Sequence, residues 1–363
     1  MTENKDLYSN FDYDSALNVQ KGIAQPAQVN SSYVEMMKAR KKIEPSLDEL
    51  FEGVISGDRT LLSRAITLVE SNLPSHYQKA QQVIDKCVPY SGKSVRLGIT
   101  GVPGAGKSTT IEALGKHLTS HGHKVAVLAI DPSSERSKGS ILGDKTRMEE
   151  LSVDPNAFIR PSPSAGSLGG VARKTREIIL LCEAAGFDVV IVETVGVGQS
   201  EIAAHSMVDF FLLLQVANTG DELQGIKRGI MEMADMIVIN KCDIDHKMAE
   251  LAAVQYRNAL HLFPLPDSGR SVNVSLCSAY SKEGISEIWN EVMEYVAFTK
   301  GNGYFYQKRQ HQNIKILYDT IENGLRTRFY STPGLEKKID QMEKDILNDR
   351  ISAYRAAEEL LNI

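Results

Sequence analysis

Gly101-Val102-Pro103-Gly104-Ala105-Gly106-Lys107-Ser108 fits the pattern G-x-x-x-x-G-K-[ST] in full. An apolar run at residues 95–100 stands directly before it, and a helical pattern at residues 109–118 follows. Strand, loop and helix in that order are what a phosphate cradle requires. The loop's glycines let it turn successive backbone N–H groups toward phosphate oxygens, and the helix N-terminus adds its partial positive charge. In such a cradle the Lys107 ammonium reaches the β- and γ-phosphates and the Ser108 hydroxyl sits on Mg2+. Residues Gly101 to Ser108, with Thr109 opening the helix, are therefore the expected nucleotide contacts.

Working outward, short apolar runs recur at residues 125–130, 189–192, 210–216, 236–239 and 272–276, with helical stretches between most of them. That alternation predicts an α/β fold whose mostly parallel sheet is covered on both faces. Before the sheet, Leu47, Leu50, Phe51 and Ile55 recur at helical steps, as do Leu61, Leu62, Ala65, Ile66 and Val69, with Gly57-Asp58 between the two sets. From Ile285 onward only helical signals remain, divided by Gly301-Asn302-Gly303 and Thr332-Pro333-Gly334 into about three helices. The expected organisation is a flexible arm over residues 1–33, a helical region over 34–90, a nucleotide-binding core over 91–298 and a helical dimerisation region over 299–363. The tail carries two apolar stripes, Ile314, Ile316, Leu317, Ile321 and Leu325, then Leu335, Ile339, Met342 and Ile346. They pack either on the core or on a second copy, and a homodimer is the expectation.

Composition excludes several classes. The 363 residues hold 41 Lys plus Arg against 46 Asp plus Glu, and a net charge of −5 is the wrong sign for a chain-wide nucleic-acid footprint. Cys87, Cys182, Cys242 and Cys277 lie far apart without C-x-x-C spacing, which predicts buried free thiols rather than disulfides or a zinc site. The first 30 residues lack an apolar secretory core, and the longest apolar runs are strand-length, so no membrane association and a cytoplasmic location are expected.

Two further motifs sit at predicted strand ends. Asn240-Lys241-Cys242-Asp243 follows the run at 236–239. A carboxylate at its fourth position accepts hydrogen bonds from both N1–H and the exocyclic amine of guanine, a donor pair that adenine lacks, so Asp243 selects the base. Ser278-Ala279, followed by Tyr280, would supply backbone N–H groups near the guanine oxygen. GTP is thus expected, with ATP the alternative. Glu193 ends another strand and precedes Gly196 in an E-x-x-G arrangement, where the carboxylate holds a metal-bound water and the glycine N–H meets the γ-phosphate. Asp131 and Asp144 are further candidates beside the metal and, with Lys107 and Glu193, for the catalytic group. Asp221, Gln224 and Lys227 share one face of the Gly-flanked segment 220–227 if it is helical, and that segment is either ordinary surface or a mobile switch.

With these residues assembled, the chain resembles the MeaB/ArgK-type GTPases, the family of the methylmalonic aciduria type A protein. The resemblance rests on the phosphate loop, on Asp131-Pro132-Ser133-Ser134 and Gly139 to Met148, on Val192 to Glu201, and on Gly220 to Lys227. It implies a P-loop NTPase of the SIMIBI class, flanked by N- and C-terminal helical extensions. It also implies a homodimeric GTPase that gates adenosylcobalamin loading, protection and reactivation of an acyl-CoA mutase of the methylmalonyl-CoA type, the cobalamin reaching it only through that partner. By the same resemblance, Lys107, Ser108, Asp131, Asp144 and Glu193 surround the phosphates and Mg2+, while Gly196, Asp221, Gln224 and Lys227 belong to switches. The competing readings are a kinase built on the same cradle and another metal- or protein-targeting GTPase. Such targeting GTPases carry His/Cys ligand clusters, whereas His117, His121 and His123 at a helix end read as a solvated, dipole-stabilising group.

Overall fold

Alternate residues of the central strands point to opposite faces of one sheet, and both faces are buried. The computed structural model describes residues 45–130, 148–161, 168–194, 199–217 and 228–362, and its elements lie in the unit Ser46–Ile363. Strands β1 (Val95–Gly101), β2 (Val125–Ile130), β3 (Ala157–Arg160), β4 (Val189–Thr194), β5 (Phe210–Val216), β6 (Met236–Asn240) and β7 (Asn273–Leu276) form a seven-stranded sheet in the order β3-β2-β4-β1-β5-β6-β7. Every pairing is parallel. Ala126, Leu128, Ile130, Val190, Val192 and Phe211 feed one core, and Val125, Val127, Val189, Ile191 and Phe210 feed the other. This is why β2 and β4 read as continuous apolar runs, with each strand needing helices above and below. Phe210 and Phe211 are fully buried on opposite sides, each contributing about 2 kcal/mol by apolar burial.

The first face is covered by α1 (Leu47–Ile55), α2 (Arg59–Glu70), α3 (Pro74–Cys87) and α6 (Leu168–Ala184), joined by Ala204 of α7 (Gln199–His205). Helix α1 opens with a capping box, in which Ser46 Oγ accepts from the Glu49 N–H and the Glu49 carboxylate accepts from the Ser46 N–H. Helix α2 is capped by Asp58, whose carboxylate accepts from the N–H groups of Thr60 and Leu61. The second face is covered by α4 (Lys107–Ser120), α5 (Glu149–Ser152) and α10 (Ile285–Gly301). A third cluster packs α8 (Arg228–Met233) and α9 (His246–Leu260) against β5, β6 and β7. A single turn of 3-10 helix (Val88–Tyr90) links α3 to the sheet.

Two elements depart from the sequence expectation. Strand β3 has no counterpart among the predicted apolar runs. It is a four-residue edge strand ending in Arg160, which pairs with Glu70, so it presents too short a hydrophobic signature. Beyond Ile285 there are four helices rather than about three, α10 being followed by α11 (Tyr304–Tyr330), α12 (Leu335–Leu347) and α13 (Ala353–Leu361). The last break carries neither glycine nor proline. Asp349 takes the left-handed conformation (φ 55°) and Ser352 caps α13, so side-chain chemistry makes a break that glycine and proline counting passes over. All four cysteines are buried free thiols, as expected. None of the described helices is long and apolar enough to cross a membrane.

Candidate nucleotide site

The site forms at the carboxyl ends of β1, β4, β6 and β7, the edge where open parallel sheets bind ligands. Strand β1 ends at Gly101, the loop runs through residues 102–106, and α4 begins at Lys107. A Cβ on Gly106 would lie 2.6 Å from Asn240 Nδ2, and its φ of +87° is itself a left-handed conformation. Glycine there lets a buried side chain from another strand touch the back of the loop. The first-turn N–H groups of α4 have no intrahelical acceptor, so the loop and helix together present donors to an anion.

Lys107 folds back over this loop, its Nζ donating to the carbonyl oxygens of Gly101 (2.8 Å) and Val102 (3.3 Å). Burial pushes its pKa below the ordinary lysine value, opposed by the carboxylates of Glu193 and Glu201. The Ser108 hydroxyl donates to Glu193 Oε1 at 3.2 Å, which brings the loop serine and the β4 carboxylate together. Behind them, Thr194 Oγ1 donates to Thr100 Oγ1 at 2.8 Å and ties β4 to β1 through two buried hydroxyls.

Asn240, at the end of β6, is the junction of the site. Its Nδ2 donates to the Ala105 carbonyl (2.7 Å), and its Oδ1 accepts from the Ala279 N–H (3.1 Å) and the Cys277 thiol (3.3 Å). One buried amide thus fastens the phosphate loop to the segment after β7. Lys241 then turns through a φ of 64°, leaving Lys241 and Asp243 exposed. Ser278 is fixed by its N–H to Glu283 O (3.0 Å) and accepts from Ser281 N–H through Oγ, while Ala279 is buried and Tyr280 is open to solvent. The neighbouring thiols are unreactive by environment, burial pushing Cys277 up to about 12.

The structure therefore brings together the expected residues Gly101 to Thr109, Glu193, Asn240, Lys241, Asp243, Ser278, Ala279 and Tyr280 at one edge of the sheet. Asp131, Asp144, Gly196, Asp221, Gln224 and Lys227 lie outside the described residues. Glu201 was not singled out by sequence reasoning. It is a nearly fully buried carboxylate on α7 that acts electrostatically on Lys107, and its only sequence signal was membership of the run 192–201. Of the histidine group, the His117 and His121 rings lie 4.4 Å apart at the end of α4, with His121 Nδ1 2.7 Å from the His117 carbonyl, while His123 Nδ1 lies 2.7 Å from Asp188 Oδ2.

Residues 62–334 match the family model described as Methylmalonyl Co-A mutase-associated GTPase MeaB. The chain belongs to the MeaB family. GTPase ArgK of Escherichia coli is 45% identical over 318 residues, covering 87% of this chain and 96% of that protein. The mitochondrial methylmalonic aciduria type A homolog of Mus musculus is 45% identical over 326 residues, covering 87% of this chain and 79% of that one. A solved structure titled as an LAO/AO transport system kinase has 39% identity and a TM-score of 0.69, covering 87% of this chain and 96% of that one. The seven-stranded parallel sheet with flanking helices is the P-loop NTPase fold expected of this family, and the enzyme class is GTPase.

Proposed function

We propose that this MeaB-family protein is a slow, partner-stimulated GTPase that gates adenosylcobalamin loading, protection and reactivation of an acyl-CoA mutase of the methylmalonyl-CoA type. The observation that carries the reading is Asn240. A side chain bonded to both Ala105 and Ala279 joins the triphosphate cradle to the base-reading segment, so occupancy of one is felt at the other. The family description and the name of the mouse relative support a mutase as the partner.

In this reading the loop amides and Lys107 neutralise charge developing on the γ-phosphate during in-line attack of water. Asp243 accepts from the guanine N1–H and amine, and the N–H groups of Ser278, Ala279 and Tyr280 border the base. Gly196, Asp221, Gln224 and Lys227 report the nucleotide state to the mutase, which alone carries the cobalamin. Ser108 Oγ and Glu193 Oε1, two converging oxygens 3.2 Å apart, form a donor pair that suits a hard cation. With Asp131 and Asp144 they would hold Mg2+, whose chemistry is neutralisation of the β- and γ-phosphate oxygens.

The exposed Ile314, Leu317, Ile321 and Leu325 on α11 support a homodimer through the helical tail. A cytoplasmic location suits work beside a soluble mutase. The test is GTP turnover with and without a candidate mutase, paired with calorimetry of GTP, GDP and ATP. Binding of guanine nucleotides with stimulation by the mutase is expected; ATP bound as tightly as GTP, or turnover indifferent to every acyl-CoA mutase, would refute the proposal. Transfer of labelled γ-phosphate to an acceptor other than water would favour the kinase reading.

A further inference from the structure

Two contiguous cavities lie away from the nucleotide site, near the amino-terminal ends of β5 and β6, where neither the phosphate loop nor the base motif reaches. One is about 580 Å3 and the other about 460 Å3, and they share His205, Asp267, Tyr304 and Lys308. Their linings differ in character. The larger is walled by Met231, Leu260, Phe263, Leu265 and Val272, and its charges are of both signs, with Arg257 and Lys308 facing Glu232, Asp235 and Asp267. The smaller carries Lys308, Lys315 and His311 against the single carboxylate of Asp267.

Two groups in the smaller cavity point to a ligand. Lys308 is engaged, its Nζ donating to the Asp209 carbonyl at 2.9 Å and lying 3.8 Å from Asp235 Oδ2, whereas Lys315 makes no ion pair among the described residues. Gln312 is only 8% exposed, its Nε2 donates to the Val208 carbonyl at 2.9 Å, and its Oε1 has no hydrogen-bond partner among the described residues. The amide cannot be turned round, because a carbonyl oxygen accepts only from a donor. A buried acceptor left unpaired costs about 1–3 kcal/mol, so this side chain is suited to a donor brought from outside.

We propose that these joined cavities bind a small organic anion with an uncharged apolar arm, its charged head beside Lys315 and His311 and its arm among Met231, Leu260 and Phe263. The head also carries an O–H or N–H group for Gln312 Oε1. A phosphate monoester and a hydroxycarboxylate both meet this description. The larger cavity disfavours a second negative charge, because its three carboxylates (Glu232, Asp235 and Asp267) outnumber its two cations (Arg257 and Lys308), and it accepts apolar surface along its aliphatic and aromatic wall.

The probes are hexyl phosphate and 2-hydroxyhexanoate, titrated separately by calorimetry into the full-length protein saturated with GDP, with inorganic phosphate and hexanol as half-ligand controls. At least one probe should bind with one-to-one stoichiometry, and the preferred one identifies the head group. Each control should bind more weakly than that probe, since each lacks half of the contacts. Lys315→Glu should weaken binding about fivefold or more. Ser271→Trp and Leu265→Trp, two exposed positions on the larger cavity, should each abolish it by filling the arm's space while leaving GDP affinity unchanged. Two independent fillers keep the test valid if one of them misfolds. Failure of both probes to bind, binding no tighter than the controls, or binding that survives the filling variants would overturn the proposal.

Discussion

In the proposed reading, Asp243 and Lys107 carry the chemistry that is most sensitive to a single atom. Replacing one Asp243 oxygen by an amide nitrogen in Asp243→Asn keeps an acceptor for the guanine N1–H but leaves the exocyclic amine facing an N–H donor. GTP affinity should fall about a hundredfold, while xanthosine triphosphate, which presents a complementary carbonyl, should gain. Equal GTP affinity in the variant and the parent, measured by calorimetry, would remove Asp243 from the base site. Lys107 gives a pH signature. Its pKa in the free protein is depressed by burial, and a triphosphate beside the ammonium must raise it. Below the depressed pKa the ammonium is present in both states and affinity is flat. As pH rises through that value the free protein loses the proton first, so GTP affinity declines and binding takes up a proton. Calorimetry at alkaline pH in buffers of different ionisation enthalpy reads that uptake directly, and zero uptake would contradict the placement of Lys107 on phosphate.

Among the elements, the attachment of α11 has the clearest energetic origin. Arg309 donates from Nε to Asp209 Oδ1 (2.8 Å), from one terminal nitrogen to Asp209 Oδ2 and Ser94 O (2.7 Å each), and from the other to Gly92 O (2.6 Å). The Asp209 side chain is 1% exposed, so Arg309→Ala leaves a carboxylate buried without its cation. A loss of about 3–5 kcal/mol in urea unfolding is expected, with an unchanged slope. A loss below about 1 kcal/mol would mean that the pair behaves like a surface bridge. The same reasoning explains why the 27-residue α11 stays docked although only Phe305 and Gln312 of it are buried. Polar bonds to strand-end carbonyls hold its first turns where an apolar face is lacking.

For the whole molecule, the prediction concerns self-association. Helix α11 leaves Ile314, Leu317, Tyr318, Ile321 and Leu325 exposed at helical spacing, a continuous apolar stripe on an element that the core does not cover. Leu317→Asp combined with Ile321→Asp should convert a dimer into a folded monomer in sedimentation experiments, with GDP affinity retained. A double variant that sediments as the parent does would place the interface elsewhere.

Residue type and spacing alone determined the phosphate loop, six of the seven strands and the N-K-x-D motif, because each depends on neighbours close in sequence. A glycine that permits φ of +87° and an apolar run buried on both sides are local facts. Tertiary structure decided what depends on distant partners. Asn240 becomes the link between Ala105 and Ala279 only when β1 and β6 flank β5. Glu201 comes close enough to act on the charge of Lys107 only when α7 packs into the core beside β4. Strand β3 was illegible because four residues at a sheet edge draw their order from pairing with β2 rather than from their own pattern. The cavities beside α11 were invisible for the same reason, since their walls come from helices and a loop that meet only once hydrophobic burial and the Arg309 bonds have closed the fold.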